Sequence, residues 1–130
     1  MQRTALWLVL AVLGFATAPA CSDPFGVDDV LGIWNTTSIN GYSVPGTVVY
    51  EGVSHDTQYV RWAFYEGGQC TLTQQVDGET ETFDDCAYTV DLATQTVSVI
   101  LLLETWVGGI DGNNMTVTDP QDIVWVLTRQ

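Results

Sequence analysis

Chemistry in this chain would have to come from three cysteines, one histidine and sixteen acids. His55 stands between Ser54 and Asp56. Neighbours in a row do not make a nucleophilic triad, whose members converge from distant segments. The stretch reads as a polar surface turn. One His without a second, and at most one spare thiol, leaves no transition-metal set. Acids gather at Asp77, Glu79, Glu81, Asp84 and Asp85, and Asp111-Gly112-Asn113-Asn114 is rich in oxygen. Calcium takes several oxygen ligands, but neither segment has the spacing of an EF-hand loop. Asp-Gly and Gly-Asn pairs are turn formers first. A carboxylate pair such as Asp84-Asp85 can serve acid–base chemistry in an apolar cleft; here it sits in an acidic surface stretch. The sequence therefore assigns no catalytic residue, no metal and no cofactor, and the expectation is a protein that is not an enzyme.

The cysteines carry more information. Gln2 and Arg3 precede an apolar run from Ala5 to Ala16, and small residues follow to Ala20. The run is shorter than the roughly 20 residues a bilayer span needs. With its small-residue end, it reads as a cleavable signal peptide over residues 1–20. Export places the cysteines where disulfides persist. Cys70 and Cys86 lie in the body of the chain and can pair, which leaves Cys21 over, directly after the cut. A two-residue hairpin at Asp77-Gly78 would set residue 70 opposite residue 85, one position short. The disulfide therefore predicts either a three-residue loop or a bulge near Asp84-Asp85.

Ala18-Pro19-Ala20-Cys21 resembles the lipobox of bacterial lipoproteins, with Ala18 where that pattern prefers Leu. The resemblance implies that Cys21 is lipid-modified and becomes the first mature residue. Residues 21–27 would then be a short tether and residues 28–130 the domain. The alternative is an ordinary signal-peptidase cut, a soluble secreted protein and a free thiol at Cys21.

Removing residues 1–20 leaves 110 residues, and takes Arg3 away. Arg61 and Arg129 then stand against 16 acids, a formal charge of −14, with no Lys anywhere. Such a chain repels phosphate backbones, which excludes nucleic acid as a partner. It also repels anionic membrane surfaces, so a covalent anchor is the plausible route to a membrane.

What positions these residues is an all-β domain. Runs rich in Val, Thr, Tyr and Trp recur, with turn signals between them. Strands are expected near 32–39, 46–52, 57–66, 69–76, 79–90 with a break near Asp84-Asp85, 95–104, 113–118 and 122–129. The separators include Asn40-Gly41, Ser54 to Asp56, Gly67-Gly68, Asp77-Gly78, Gly108 to Gly112 and Asp119-Pro120. In Tyr59–Tyr65, Val60, Trp62 and Phe64 alternate with Tyr59, Arg61, Ala63 and Tyr65, so both faces carry large apolar groups. Ile123–Thr128 behaves likewise. This pattern fits a small antiparallel up-and-down barrel of about eight strands with an apolar lumen. A β-sandwich with a covered outer face is the alternative.

Leu31-Gly32-Ile33-Trp34 looks like the G-x-W start of lipocalin-like domains, and Ile123 to Arg129 resembles the closing strand of bacterial lipocalin-like lipoproteins. Asp111 to Thr118 looks like their penultimate turn and short strand. The resemblance implies a barrel in which Gly32 permits close approach, Trp34 closes one end and Arg129 lies over Trp34. It also implies a cell-envelope protein, at the outer membrane or the periplasmic face, that binds a small apolar ligand. Candidate lumen residues are Trp62, Phe64, Leu72, Tyr88, Ile100 and Leu102. The competing expectation is an interaction or assembly module of the envelope, with a solid barrel core.

Overall fold

Alternation with a period of two builds almost the whole domain from strands. The computed structural model describes residues 26–130. The expected signal peptide, Cys21 and the expected tether as far as residue 25 lie outside the described residues. The strands are β1 (Gly32–Ile39), β2 (Tyr42–Ser43), β3 (Gly46–Tyr50), β4 (Val53–Tyr65), β5 (Gln69–Val76) and β6 (Glu79–Phe83). They continue with β7 (Cys86–Asp91), β8 (Thr96–Leu101), β9 (Glu104–Asp111), β10 (Asn114–Thr118) and β11 (Val124–Arg129). A single 3-10 turn, Val27–Asp29, precedes β1.

Eight of these strands close on themselves. The ring runs β1–β11–β10–β9–β8–β7–β5–β4, all antiparallel, and returns to β1 with Trp34 opposite Trp62. Strands β2, β3 and β6 extend β1, β4 and β5 beyond the ring. Closure removes the sheet edges, which settles the barrel over the sandwich.

Two β-bulges decide which side chains face inward. One lies in β1 between Thr36 and Ser38, the other in β4 between Thr57 and Tyr59. Each switches the parity of its strand. Trp34, Thr36 and Ile39 are all buried, as are Thr57, Val60, Trp62 and Phe64. The opposite faces carry Tyr65, Ile100, Val107 and Val124, each exposed. The second apolar face seen in the sequence thus meets solvent.

Several sequence boundaries move. Gly108 and Gly109 belong inside β9 instead of separating strands. A Cβ on Gly108 would lie 2.0 Å from the Thr116 carbonyl oxygen of β10, so glycine here allows a backbone approach closed to other residues. The separator keeps a turn only at its end, Gly112-Asn113, and an unexpected turn at Leu102-Leu103, with φ of 52° and 69°, opens β9, a strand the sequence reading did not contain. Ser54 to Asp56 is strand, and the turn before it is Glu51-Gly52. The 79–90 stretch is two strands, β6 and β7.

The disulfide explains that last break. Across the Asp77-Gly78 turn, Leu72 faces Phe83 and Val76 faces Glu79. That register would bring residue 85 opposite Cys70. Strand β7 meets β5 one residue out of step, with Gln69 opposite Ala87. The irregularity falls at Asp84-Asp85, and Cys86 bonds Cys70 at a Cα separation of 5.0 Å. This is the bulge option of the two read from the sequence. Gln69–Ala87 is the one ladder pair joining β5 to β7, so the disulfide fastens the thinnest seam of the barrel. Cross-linking residues 16 apart contributes about 3 kcal/mol on the chain-entropy account.

Candidate functional site

The two ends of the barrel are built differently. At one end, Trp34 is fully buried and its Nε1 donates to the Val30 carbonyl at 2.9 Å. The Arg129 guanidinium stands 4.3 Å from the centroid of the Trp34 ring. Its Nη1 donates to the Leu31 carbonyl at 2.6 Å, and Nη2 donates to the Asp29 carbonyl. Gly32 has φ +118°, and a Cβ there would lie 3.4 Å from Arg129 Nη1. Glycine therefore gives the left-handed bend that carries the chain past the guanidinium. The 3-10 turn, Val30, Trp34 and Arg129 form a plug.

The other end is open. A cavity of about 400 Å³ enters there. Its walls are chiefly apolar: Val48 of β3, Val60 of β4, Leu72 and Val76 of β5 and Phe83 of β6. Ile39, Leu101, Trp106 and Trp125 complete the apolar lining, with Leu102 on the rim. Polar groups enter from Tyr50, His55, Thr57 and Gln74. Trp106 and Trp125 meet edge to face at 4.9 Å, and Trp62 packs against Trp106 at 5.3 Å. Edge-to-face pairs of this kind are favoured by the ring quadrupoles and hold the indoles in fixed orientations.

Asp119 organises the rim. It is 3% exposed, and its Oδ1 accepts from the backbone N–H of Gln121 and of Ile123. Its Oδ2 accepts from Trp125 Nε1 at 3.0 Å and from the Tyr50 hydroxyl at 2.6 Å. A buried carboxylate needs this many donors, because each replaces lost water. Burial, then the hydrogen bond and charge of Asp119, raise the Tyr50 phenol well above its ordinary pKa; Glu51 and Glu104 add to the effect. Tyr50 is therefore a neutral donor at physiological pH.

His55 is half-buried at the mouth, where its Nδ1 lies 2.8 Å from Asp77 Oδ2. Asp56 donates its backbone N–H to Asp77 Oδ1, and Asp77 N donates to the Asp56 carbonyl. The β3–β4 hairpin is thereby clasped to the β5–β6 turn. The hydrogen bond to His55, followed by that from Asp56, holds the Asp77 carboxyl below its ordinary pKa. Among the described residues, no three His, Cys, Asp or Glu side chains are placed to share an ion.

Of the six lumen residues drawn from the sequence, Trp62, Phe64, Leu72 and Tyr88 are buried. Leu72 lines the cavity; Phe64 stacks on Trp62 and meets Tyr88 edge to face. Leu102 is half exposed in the β8–β9 turn and contributes to the rim. Ile100 is a correction. It is 44% exposed on the outer wall, in a groove with Asp84 and Asp85. The run Val97–Leu103 is apolar at every position but Ser98, so alternation alone allows both registers. Pairing with β7, where Cys86 faces Leu101 and Tyr88 faces Val99, turns Val97, Val99 and Leu101 inward.

The sequence reading gave no site role to Tyr50, Trp106, Trp125 or Asp119, and it set His55 in a polar surface turn where the structure has strand β4 and the cavity mouth. Asp119-Pro120 is a plain turn signal; three of the four donors it gathers lie within six residues of it, and the fourth, Tyr50, comes from a distant strand. Trp125 was legible as a buried strand residue, but its place at a mouth was not. No family model, curated protein or solved structure matches the chain.

Proposed function

We propose that this is an exported, lipid-anchored protein of the bacterial envelope whose lipocalin-like barrel binds a small apolar ligand. The observation that carries the reading is the 400 Å³ apolar cavity at one end of a barrel plugged at the other. Ligand sites are typically apolar clefts of about 300–1,000 Å³ with a few polar groups. A barrel meant only as a solid interaction module has no use for that volume. The anchor rests on the sequence: Cys21 follows the small-residue end of a signal peptide, and the Cys70–Cys86 disulfide leaves it unpartnered by either.

Two measurements test the halves of this reading. Expressed from its full coding sequence in a bacterial host, the protein is expected in the membrane fraction, with intact mass equal to residues 21–130 plus lipid. The Cys21→Ser variant should lose both properties. Trp106 and Trp125 sit in the cavity wall, so their fluorescence reports filling. Titration with phenylnaphthylamine, an apolar dye, should show saturable binding at one dye per chain. A mature protein without added mass rejects the anchor, and the lack of saturable dye binding rejects the ligand site.

A further inference from the structure

The cavity has two kinds of wall. Val60 and Leu72, in the middle of β4 and β5, are aliphatic. At the open end the wall is aromatic. Tyr50 is the last residue of β3, Trp125 lies at the start of β11, and both line the cavity with Trp106. The Trp125 ring stands 6.2 Å from Tyr50 and 4.9 Å from Trp106, with planes 71° and 64° apart. Aromatic walls set at steep angles hold organic cations through the ring quadrupole, ammonium groups above all. Asp119 accepts from both Trp125 Nε1 and the Tyr50 hydroxyl. A carboxylate bonded there polarises both rings and leaves them richer in electron density.

The charge around the mouth has one sign. Glu51 follows Tyr50 in the β3–β4 turn, and Glu104 faces Leu101 of the cavity wall. Both are exposed, and both act on the Tyr50 phenol. Asp77 reaches the mouth from the β5–β6 turn, where it faces His55. Asp119 stands behind Tyr50. No Lys or Arg lines the cavity. Arg129 is committed to the plug, and Arg61 lies on the outer wall over Tyr59, 4.9 Å from its ring. An anion entering this mouth loses its water, meets like charge and finds no cation. A cation is drawn toward four carboxylates and keeps part of its water at the rim.

We infer that the cavity takes an apolar cation, an alkyl chain or ring system ending in an ammonium group, with the apolar body inside the barrel and the ammonium at the mouth beside Tyr50 and Trp125. The inference rests on the ligand-binding reading above and names its ligand class. The body fills the space between Val48, Val60 and Leu72. Charge then sorts what enters, because the aliphatic wall accepts any apolar body of the right size.

The test is displacement of phenylnaphthylamine from the full mature chain by ten-carbon probes that differ only in the head group: trimethylammonium, alcohol and sulfate. Each is kept below the concentration at which it forms micelles. At about 0.01 M salt, the ammonium is expected to displace the dye at about threefold lower concentration than the alcohol and about tenfold lower than the sulfate. At about 0.5 M salt, the gap between ammonium and sulfate should narrow to within about threefold, because exposed carboxylates are then screened. Combining Glu51→Gln with Glu104→Gln should narrow the same gap at low salt. The salt series on the unaltered chain guards against a misfolded variant. In nuclear magnetic resonance spectra, the ammonium methyl protons should contact ring protons of Tyr50 or Trp125. Decylphosphocholine carries the same ammonium on a lipid headgroup. If it matches the trimethylammonium probe, the ammonium is taken from a lipid; if it falls behind, the ammonium is taken on a free amphiphile; either result keeps the ammonium as the recognised group. A sulfate that competes as well as the ammonium overturns the inference. So does a gap left unchanged by salt or by the double variant, or methyl contacts confined to Val60 and Leu72. If the dye binds but the inference fails in these ways, the ligand site itself stands. If neither dye nor any probe binds, both fall.

Discussion

Arg129 shows how much one side chain can hold. It contributes a cation over the Trp34 ring and two donors to the carbonyls of Leu31 and Asp29. Cation–π contact and charge-assisted hydrogen bonds add, because all three depend on one planar fork. Arg129→Gln should lower the stability of the domain by about 2–3 kcal/mol in urea unfolding. Arg129→Lys should restore less than half of that loss, since an ammonium has no fork. Asp77 gives a pH-dependent counterpart. Its carboxyl is held below the ordinary value by His55 and the Asp56 N–H. A carboxylate with a depressed folded pKa stabilises above its unfolded pKa, and the gain is lost as pH falls through the folded value. Wild type should therefore melt above Asp77→Asn at neutral pH. The gap should close as pH drops below the ordinary carboxylate range. A gap that persists in acid would show that the clasp does not depend on the charge of Asp77.

At the scale of elements, the hairpins differ in how well sequence matches turn. Asp77-Gly78 suits a two-residue turn in which both residues have positive φ. Leu102-Leu103 adopts the same left-handed region with two residues that resist it. Leu103 is 88% exposed, so its side chain recovers nothing by burial. Leu103→Gly should raise stability by about 1 kcal/mol, readable as a higher melting temperature. An unchanged or lowered melting temperature would place a stabilising contact at Leu103. The same turn marks where the sequence reading failed. Two leucines do not signal a turn, while Gly108-Gly109 does, so the strand expected over 95–104 runs through the turn and β9 is missed. In the fold, those glycines serve the close approach of β9 to Thr116. By contrast, the step at Asp84-Asp85 was legible, because a disulfide between Cys70 and Cys86 leaves few registers open.

At the scale of the whole molecule, charge dominates. Sixteen acids against three bases make a compact fold repel itself. Raising salt from about 0.01 to about 0.15 M shortens the screening length from about 30 to about 8 Å. The melting temperature of the mature chain should rise over that interval, and a flat response would mean that the acids are already neutralised by local partners. The exposed apolar residues Ile100, Val107 and Val124 lie on the outer wall of a single-layered barrel. Like charge on every copy opposes association through such surfaces.

The sequence by itself determined what local rules and arithmetic can reach. These were the β class, the acidity, the pairing of Cys70 with Cys86 and the irregularity that pairing demands. Period and spacing along the chain contain that information. Only tertiary closure decided which end of the barrel is plugged and which is open. Bulges at Thr36–Ser38 and Thr57–Tyr59 switch strand faces, and nothing in the local sequence announces them. Ile100 turned outward because β7 fixed its register across the ladder. Trp106 is the clearest case, a buried indole whose Nε1 has no hydrogen-bond partner. A tryptophan in a strand reads as core, and whether its N–H finds an acceptor depends on residues that only the closed barrel brings near.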